Sequence, residues 1–482
     1  MSVLENVEPQ LVWKHFDEIR KIPHCSKHEE QIRKYIVTFA KEQQLNYIVD
    51  KSGNVLITKP ATSKKLKDKP IIILQGHMDM VCEKNSDVDH DFSKDPLKLI
   101  RNGDILTADG TTLGADNGIG VATSLAILED TTIKHGPLEC LFTVDEETGL
   151  TGAFAMDNDM LQGRIMLNLD SEDWGVLTVG CAGGGDTKIN LPLKTKTIPA
   201  GATTYKLTVA GLRGGHSGVD IHEQRGNAVK LLGRILWKLN QHTLYLTSIN
   251  GGDKHNAIPR EAYALVSVPS KEAEKVQEII KQEEQAIARE IKPIDPNVTV
   301  KIEEQSQQKQ CLDTSSQWNL LNLIHGLPHG IVKMSYDIPG LVQTSTNLAK
   351  VTVSDKEALL QLSSRSSIMS ELQTLRDHIR SIAELTDASV SEDDPYPGWQ
   401  PNLESKLLQT SKDIYREMYG EEPKVEAIHA GLECGIIGEK FPGMDMISIG
   451  PTIKYPHSPD EQVHIKTVEH FYNYVTQILA KV

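Results

Sequence analysis

The stretch PIIILQGHMDMV, at residues 70–81, places His77 and Asp79 directly after a short apolar run. Similar runs bounded by turn residues occur on either side: NVLITK at 54–59, LECLFTV at 138–144 and RIMLNL at 164–169. Short apolar runs of this kind are typical of buried strands. GADNGIGVATSLAILED, at 114–130, has the apolar spacing of a helix and lies among them. This alternation of strand and helix predicts an α/β layer fold.

Side chains of metal-ligand type follow the predicted strands at their carboxyl ends. In chain order these are His77, the pair Glu146 and Glu147, Asp170 and, in the loop after MDMISIG, His457. In an open α/β sheet the carboxyl ends of the strands share one edge, where ligands bind. We therefore expect residues that are far apart in the sequence to converge at this edge.

Asp116 joins the group from the glycine-rich turn GADNG at a helix start. Taken singly, each of these residues has a plainer interpretation, namely a structural histidine, a helix cap or an exposed acidic turn. Together, two imidazoles and at least four carboxylates at one edge would repel or desolvate each other without a cation. The repeated pattern therefore predicts a metal site.

Charge counting predicts two divalent ions at this site. The expected ligands are His77, Asp116, Glu147, Asp170 and His457. Their three negative charges and a bridging hydroxide balance two divalent cations. With Asp116 bridging, each ion receives one histidine, one terminal carboxylate, the shared carboxylate and the shared water oxygen. That four-coordinate shell suits zinc, although manganese and cobalt also accept these ligands. Bridged ions lie about 3.5–4 Å apart, as in co-catalytic hydrolases.

Two further acidic residues have roles that this chemistry requires. Asp79, two residues after His77, can accept the other ring N–H of that histidine and so fix its tautomer. Glu146, next to the ligand Glu147, can take a proton from the attacking water and deliver it to the leaving amine. The sequence thus predicts Asp79 as an orienting residue and Glu146 as the general base.

The remainder of the chain predicts a second domain inserted into the first. Two helices open the chain between 14 and 49, with Ser26 as the expected cap of the second. GCAGGGD, at 180–186, has four glycines and predicts a domain crossing. SEDDPYPGWQPN, at 391–402, predicts the point where the chain returns to the first domain. The expected boundaries are residues 1–186 and 391–482 for the first domain, and 187–390 for an α+β insertion.

Composition narrows the classes of function. The 482 residues include 51 Lys and Arg against 66 Asp and Glu, a formal net charge of −15. This charge disfavours nucleic acid and anionic membranes as partners. The start of the chain carries Glu5 and Glu8 where a signal peptide would be basic and apolar, and no apolar run is long enough to cross a bilayer. The six cysteines form no CxxC pair, which predicts a cytoplasmic protein with reduced thiols.

Five motifs in order resemble the M20 family of zinc metallopeptidases: GHMDMV (76–81), GADNG (114–118), DEETG (145–149), NLDSE (168–172) and PHSPDE (456–461). GTTLGADNGIG, the long insertion and HAGLECGII (429–437) are similar to those of its cytosolic aminoacyl-histidine dipeptidases, the peptidases D. The resemblance implies a mixed-sheet α/β/α catalytic domain with an inserted lid domain. It also implies the same five metal ligands, the same orienting residue and the same base.

The resemblance further implies substrate-binding residues in the lid. These are His216 in GGHSG, Asn256 in KHNAIP and Arg365 in SSRSS. His216 or Asn256 would stabilise the oxyanion of the scissile carbonyl, and Arg365 would pair with the substrate carboxylate. A homodimer formed through the lid is also expected. HAGLECG replaces the Gly-Gly-Thr-Asp type of segment that is more usual in the broader family.

The function expected on these grounds is that of a cytoplasmic di-zinc dipeptidase. Hydrolysis of Xaa-His dipeptides, carnosine-like dipeptides included, is what the resemblance implies. Two alternatives are an amidase acting on N-acyl amino acids, which would keep the same metal-site residues, and a non-catalytic protein that binds peptide or metal on this scaffold. The unliganded Glu146 favours an enzyme, since a binding site has no need of a base.

Overall fold

The computed structural model describes residues 3–482, which divide into two compact units. Unit 1 comprises the chain up to Gly180 together with Trp399–Ala427 and Leu432–Val482. Unit 2 comprises Cys181–Gly398 and Ile428–Gly431. The first unit is therefore discontinuous in sequence.

Over residues 3–482 the structure contains twelve α-helices and 25 strands. The helices are α1 Gln10–Ile19, α2 Glu30–Glu42, α3 Ala115–Glu129, α4 Glu146–Gly149, α5 Thr151–Ala155, α6 Ala228–Leu239, α7 Ala273–Ile291, α8 Thr314–Gly326, α9 Met369–Glu384, α10 Lys406–Tyr419, α11 Glu433–Lys440 and α12 Ile465–Lys481. The strands are β1 Asn46–Val49, β2 Val55–Lys59, β3 Ile72–His77, β4 Leu99–Asn102, β5 Ile105–Ala108, β6 Leu138–Thr143, β7 Ile165–Asn168, β8 Val176–Cys181, β9 Gly183–Pro192, β10 Thr195–Thr197, β11 Ala202–Ala210, β12 Gly215–His216, β13 Tyr245–Gly251, β14 Ala257–Ile258, β15 Ala262–Pro269, β16 Thr299–Gln305, β17 Gln310–Leu312, β18 Gly330–Met334, β19 Val342–Val353, β20 Glu357–Ser366, β21 Ser389–Glu392, β22 Lys424–Ile428, β23 Asp445–Ser448, β24 Ile453–Lys454 and β25 Gln462–His464.

Unit 1 is built on an eight-stranded mixed sheet in the order β1-β2-β6-β3-β7-β23-β8-β22. The central strands β6, β3, β7 and β23 run parallel to one another, whereas β2 and β8 pair in the antiparallel direction. Strands β3 and β6 are buried along their whole length, as their continuous apolar sequence predicts. The predicted mixed α/β architecture is confirmed.

Unit 2 is built on a nine-stranded antiparallel sheet. Its main path is β16-β11-β15-β13-β19-β20-β9-β21, and β18 pairs with β19. Residues from α6, α7, α8 and α9 pack with apolar strand residues in one continuous core. The alternating burial along β11 and β15 is that of strands with one buried face.

The glycines of GCAGGGD form regular structure and not a flexible linker. Gly183 and Gly184 lie in β9, where a side chain at either position would meet the backbone of 396–398 or the ring of Tyr396. Their lack of a side chain thus allows two segments of unit 2 to approach closely.

Two local predictions are wrong. Ser26 does not cap the second helix: α2 has Glu29 as its N-cap residue, and the Ser26 hydroxyl donates to Asp79 at 2.8 Å. Cys25 and Cys82 form a disulfide and are not reduced thiols. A backbone bridge between Cys25 and Met80 brings the two loops together, which sequence spacing could not reveal. The remaining four cysteines are buried.

Candidate metal centre

Three neighbouring parallel strands place His77, Glu147 and Asp170 at one edge of the unit 1 sheet, and two other segments supply Asp116 and His457. His77 is the last residue of β3, and Asp170 lies two residues past the end of β7. Glu147 lies four residues past the end of β6, and the loop between β24 and β25 carries His457. Asp116 comes from the first turn of α3. Residues spread over most of the chain are thereby brought together.

Asp116 lies between the two histidines, with one carboxylate oxygen towards each. Its Oδ1 is 3.2 Å from His77 Nε2, and its Oδ2 is 3.1 Å from His457 Nε2. On the outer sides, His77 Nε2 lies 3.2 Å from Asp170 Oδ1, and His457 Nε2 lies 3.0 Å from Glu147 Oε2. Two donor groups result, His77 with Asp116 and Asp170, and Asp116 with Glu147 and His457, and Asp116 belongs to both.

The pKa shifts in this cluster show that its carboxylates are stabilised by nearby positive charge. Hydrogen bonds to Asp116 and Glu147 raise the pKa of His457 to about 11. Burial alone would lower the pKa of His77, but neighbouring carboxylates outweigh it and raise that pKa well above its ordinary value. Burial raises the pKa of Asp170 to about 6. The carboxylates thus favour protonated imidazoles, because a cation stabilises a group of buried negative charges.

Asp79 orients both His77 and the loop that carries the acidic pair. His77 Nδ1 lies 3.0 Å from the backbone carbonyl of Asp79 and 3.4 Å from its Oδ1. The Asp79 carboxylate also accepts the backbone N–H groups of Glu146 and Glu147, at 3.1 and 3.3 Å. Asp79 therefore contacts the His77 ring through its backbone carbonyl and the start of α4 through its carboxylate.

Glu146 stands beside the donor groups with its carboxylate directed to them. One oxygen of Glu146, one of Glu147 and one nitrogen of His77 lie within 4.8 Å of one another. Burial raises the pKa of Glu146 well above its ordinary value, and nearby carboxylates add to the shift. A carboxylate with a raised pKa is suited to accept a proton and release it again.

The sequence analysis did not predict a buried network of hydrogen bonds that joins the strands carrying the expected ligands. Glu433, the first residue of α11, is fully buried and accepts hydrogen bonds from Gln75 Nε2 and Thr143 Oγ1, each at 2.6 Å. Gln75 Oε1 in turn accepts a hydrogen bond from Asn168 at 2.6 Å. These hydrogen bonds connect side chains of the three strands β3, β6 and β7. Glu433 lies 358 residues from Gln75, so no local pattern signals the contact.

The three substrate residues implied by the resemblance all belong to unit 2. Arg365 is buried, its Nη1 donates to Tyr396 at 2.8 Å, and its Nε has no partner. His216 Nδ1 accepts the N–H groups of residues 218 and 219, so its proton is on Nε2. Gly218 lies against both, since a side chain there would meet Arg365 and His216. Asn256 accepts a backbone hydrogen bond from Ser217.

The sequence from residue 73 to 481 matches the profile of peptidase family M20/M25/M40. The chain belongs to this family. The predicted family and the prediction of an enzyme are thereby confirmed. This M20 peptidase is 41% identical to the cytosol non-specific dipeptidase of Escherichia coli, over 100% of this chain and 99% of that protein. The name of that relative agrees with the predicted cytoplasmic location.

Solved structures agree with the family assignment. This M20 peptidase superimposes on the aminoacylhistidine dipeptidase of Vibrio alginolyticus with a TM-score of 0.94 at 42% identity, over 100% of this chain and 98% of that one. Aminopeptidase PepT of Bacillus cereus matches with a TM-score of 0.58 at 15% identity, over 98% of both chains, and shows a shared fold. Within residues 3–482, no helix has both the length and the apolarity that a bilayer crossing requires.

Proposed function

We propose that this M20 peptidase is a dipeptidase with two divalent metal ions, and that it cleaves dipeptides that end in histidine. The observation that carries the proposal is Asp116, whose two oxygens face two histidines in two donor groups. The names of the Escherichia coli and Vibrio alginolyticus relatives support a dipeptide substrate. The second name alone supports C-terminal histidine.

The donors present fit such ions. Glu147 Oε1 is buried without a hydrogen-bond partner, and Asp170 Oδ1 lies near His77 without hydrogen-bond alignment. Over the described part of the chain, Asp116, Glu147 and Asp170 form ion pairs only with histidine and none with lysine or arginine. Two imidazoles and three carboxylates without a resident cation are the ligand set of zinc, manganese or cobalt.

One ion would be held by His77, Asp170 and Asp116, and the other by His457, Glu147 and Asp116. When bound, such ions polarise a peptide carbonyl and lower the pKa of water. Asp79 holds His77 in the tautomer that leaves Nε2 directed at Asp116. The residues of the site would therefore fix the positions of the two ions.

Glu146 would move the proton in the reaction. Its backbone is anchored to Asp79, so its carboxylate stays beside the two donor groups. In its ionised form it takes a proton from the attacking water, and in its neutral form it delivers that proton to the leaving amine. The raised pKa of Glu146, which follows from its burial, brings these two forms closer in free energy.

Unit 2 would bind the substrate, as the lid of the enzyme, and unit 1 would be the catalytic domain. Arg365 has a planar guanidinium with one unused N–H, so it can bind a dipeptide carboxylate in addition to Tyr396. His216 can donate its Nε2 proton to the carbonyl oxygen that gains charge, and Asn256 is a second candidate donor. A homodimer formed through unit 2 stays a prediction.

The proposal is tested by metal analysis of the purified protein together with a hydrolysis panel. The panel contains Xaa-His dipeptides, the matching Xaa-Ala dipeptides, a tripeptide and N-acetyl amino acids. We expect two ions per chain and the highest kcat/KM on Xaa-His. Turnover of N-acetyl amino acids without turnover of dipeptides would identify an amidase instead. Equal rates on Xaa-Ala and Xaa-His would remove the histidine preference and leave a non-specific dipeptidase.

A further inference from the structure

Glu461 connects the two loops that carry Asp116 and His457. It is only 2% exposed, and its two oxygens accept hydrogen bonds from four consecutive backbone N–H groups. The donors and their distances are Leu113 at 2.7 Å and Gly114 at 3.1 Å to Oε2, and Ala115 at 2.8 Å and Asp116 at 3.3 Å to Oε1. The carboxylate is therefore fully engaged by a single turn of backbone.

Those N–H groups need an acceptor. They lie at the start of α3, where a helix leaves its first N–H groups without partners inside the helix. Gly114 has a φ of +65°, and this turn directs successive N–H groups to one point. A negative charge is favoured there. An acid close to other acids is unfavourable in itself, so the four hydrogen bonds must compensate for its burial.

His457 depends on this anchor more than the other ligands do. Its side chain is 50% exposed, whereas that of His77 is 1% exposed. Its φ is +61°, in the left-handed region that is unfavourable for residues other than glycine. Glu461 follows it by four residues, and the N–H of Glu461 donates to the carbonyl of Ser458. The nearest buried side-chain anchor in the loop is thus Glu461.

We propose that Glu461 is a positioning residue that sets the distance between Asp116 and His457, so that the donor group of Asp116, Glu147 and His457 is formed before an ion arrives. This inference rests on the metal site of the proposed function. It goes beyond it, because Glu461 is not a ligand and touches neither substrate nor ion. Because Asp116 belongs to both donor groups, loss of Glu461 should weaken both ions, and it should weaken more the ion that His457 would also hold, since Glu461 connects both of that ion's loops.

Glu461→Gln tests the inference with little change in shape. The amide replaces one acceptor oxygen by an NH₂ group, which then faces N–H donors. At least one pair of the four hydrogen bonds is lost, and the Asp116 turn is released from the His457 loop. We expect affinity for the more weakened of the two ions to fall about 10–100-fold, as for other residues that support ligands indirectly.

Glu139 provides a matched control. It is also a buried carboxylate, 4% exposed, and it accepts the backbone N–H groups of Gln162 at 3.1 Å and Gly163 at 3.0 Å. The loop that it holds carries none of the proposed ligands. Glu139→Gln should therefore lower thermal stability as Glu461→Gln does, with metal affinity unchanged.

The measurement is a titration of the metal-free full chain with Zn²⁺ against a chromogenic chelator, with thermal unfolding recorded in parallel. We expect two ions of normal affinity in the wild type and in Glu139→Gln, and two ions of unequally weakened affinity in Glu461→Gln. Normal affinity for both ions in Glu461→Gln, or equal weakening in the Glu139 variant, would overturn the inference. Fewer than two ions in the wild type would instead refute the proposed metal site.

A second variant covers the case in which Glu461→Gln does not fold. Glu461→Asp keeps the charge and withdraws the carboxylate by one methylene group. If Glu461 acts through position, this variant also weakens both ions, one more than the other. If it binds both ions as the wild type does, the position of the carboxylate is unimportant and the inference is wrong.

Discussion

Unit 1 and unit 2 differ in the ionisable groups that are buried around their candidate ligand-binding residues. In unit 1 the buried groups beside the donor cluster are carboxyls, and burial raises the pKa of Glu433 to about 7. In unit 2 they are imidazoles beside a guanidinium: burial, with Arg365 nearby, lowers the pKa of His216 to about 4 and that of His429 to about 3. Each unit thus holds charge that a ligand of the opposite sign would stabilise, a cation in unit 1 and an anion in unit 2.

The largest effect is expected in unit 1, from Glu146→Gln. The amide cannot accept a proton, so kcat should fall by about 10²–10⁴-fold. Because Glu146 is not among the five expected ligands, the metal content should stay at the wild-type value. Steady-state kinetics and metal analysis of the same preparation check both statements. Unimpaired hydrolysis in this variant would exclude Glu146 as the base.

The second effect tests the anion site of unit 2. Arg365→Met keeps the length of the side chain but removes its charge, and a hydrogen bond to a charged group contributes about 1.5–3 kcal/mol. We expect KM for a dipeptide to rise about 10–100-fold with a smaller change in kcat. Arg376→Met is the control, because Arg376 is equally buried and donates to the backbone carbonyl of Asp393. The control should lose stability and keep the wild-type KM.

A smaller effect concerns how the free energy of unfolding of unit 1 depends on pH after metal ions have been removed with a chelator. Glu433 has a folded pKa of about 7 against an ordinary value of 4.5, so its neutral form stabilises the fold. That stability is complete below pH 4.5 and is lost as the pH rises to about 7. Glu433→Gln should flatten this slope, since the amide keeps an acceptor oxygen for Gln75 and Thr143. Unfolding in denaturant at several pH values provides the measurement, and an unchanged slope would count against this assignment.

Unit 2 should respond to pH in the opposite direction. His429 has a folded pKa of about 3 against an ordinary value of 6.5, so the unfolded chain takes up its proton first. Stability is therefore lost as the pH falls below 6.5 towards 3. His429→Gln removes this proton uptake and keeps a polar group near Ser345, which lies 2.7 Å from His429 Nε2. The variant should lose less stability than the wild type between pH 7 and pH 5, and an equal loss would contradict the comparison.

The sequence predicts the ligand edge of unit 1 because one rule applies to every ligand strand. Apolar runs identify β3, β6 and β7, and the residue types just past their ends identify His77, Glu147 and Asp170. The parallel neighbours observed in the sheet bring these residues together as the rule requires. Their roles as metal ligands stay a prediction.

No comparable sequence rule predicts the contacts between loops that are far apart in the chain. Glu433 and Glu461 are acids at ordinary positions in the sequence, and their side-chain and backbone partners lie 290 to 358 residues away. Ser26 has the pattern of a helix cap but donates to Asp79, because the bridge at Cys25 brings its loop beside that residue. A local sequence pattern indicates a local conformational preference, such as a helix cap. It does not indicate which loops come into contact in the folded protein.

Asp116 and His457 are 341 residues apart, and this separation imposes an order on assembly in the cell. A ribosome adds about 5–20 residues per second, so roughly 20–70 s pass between the synthesis of the two. His77, Asp116 and Asp170 have all left the ribosome before His457 is made. In the proposed metal site, the donor group of His77, Asp116 and Asp170 is therefore synthesised early, whereas the donor group of Asp116, Glu147 and His457 is completed only by the last part of the chain.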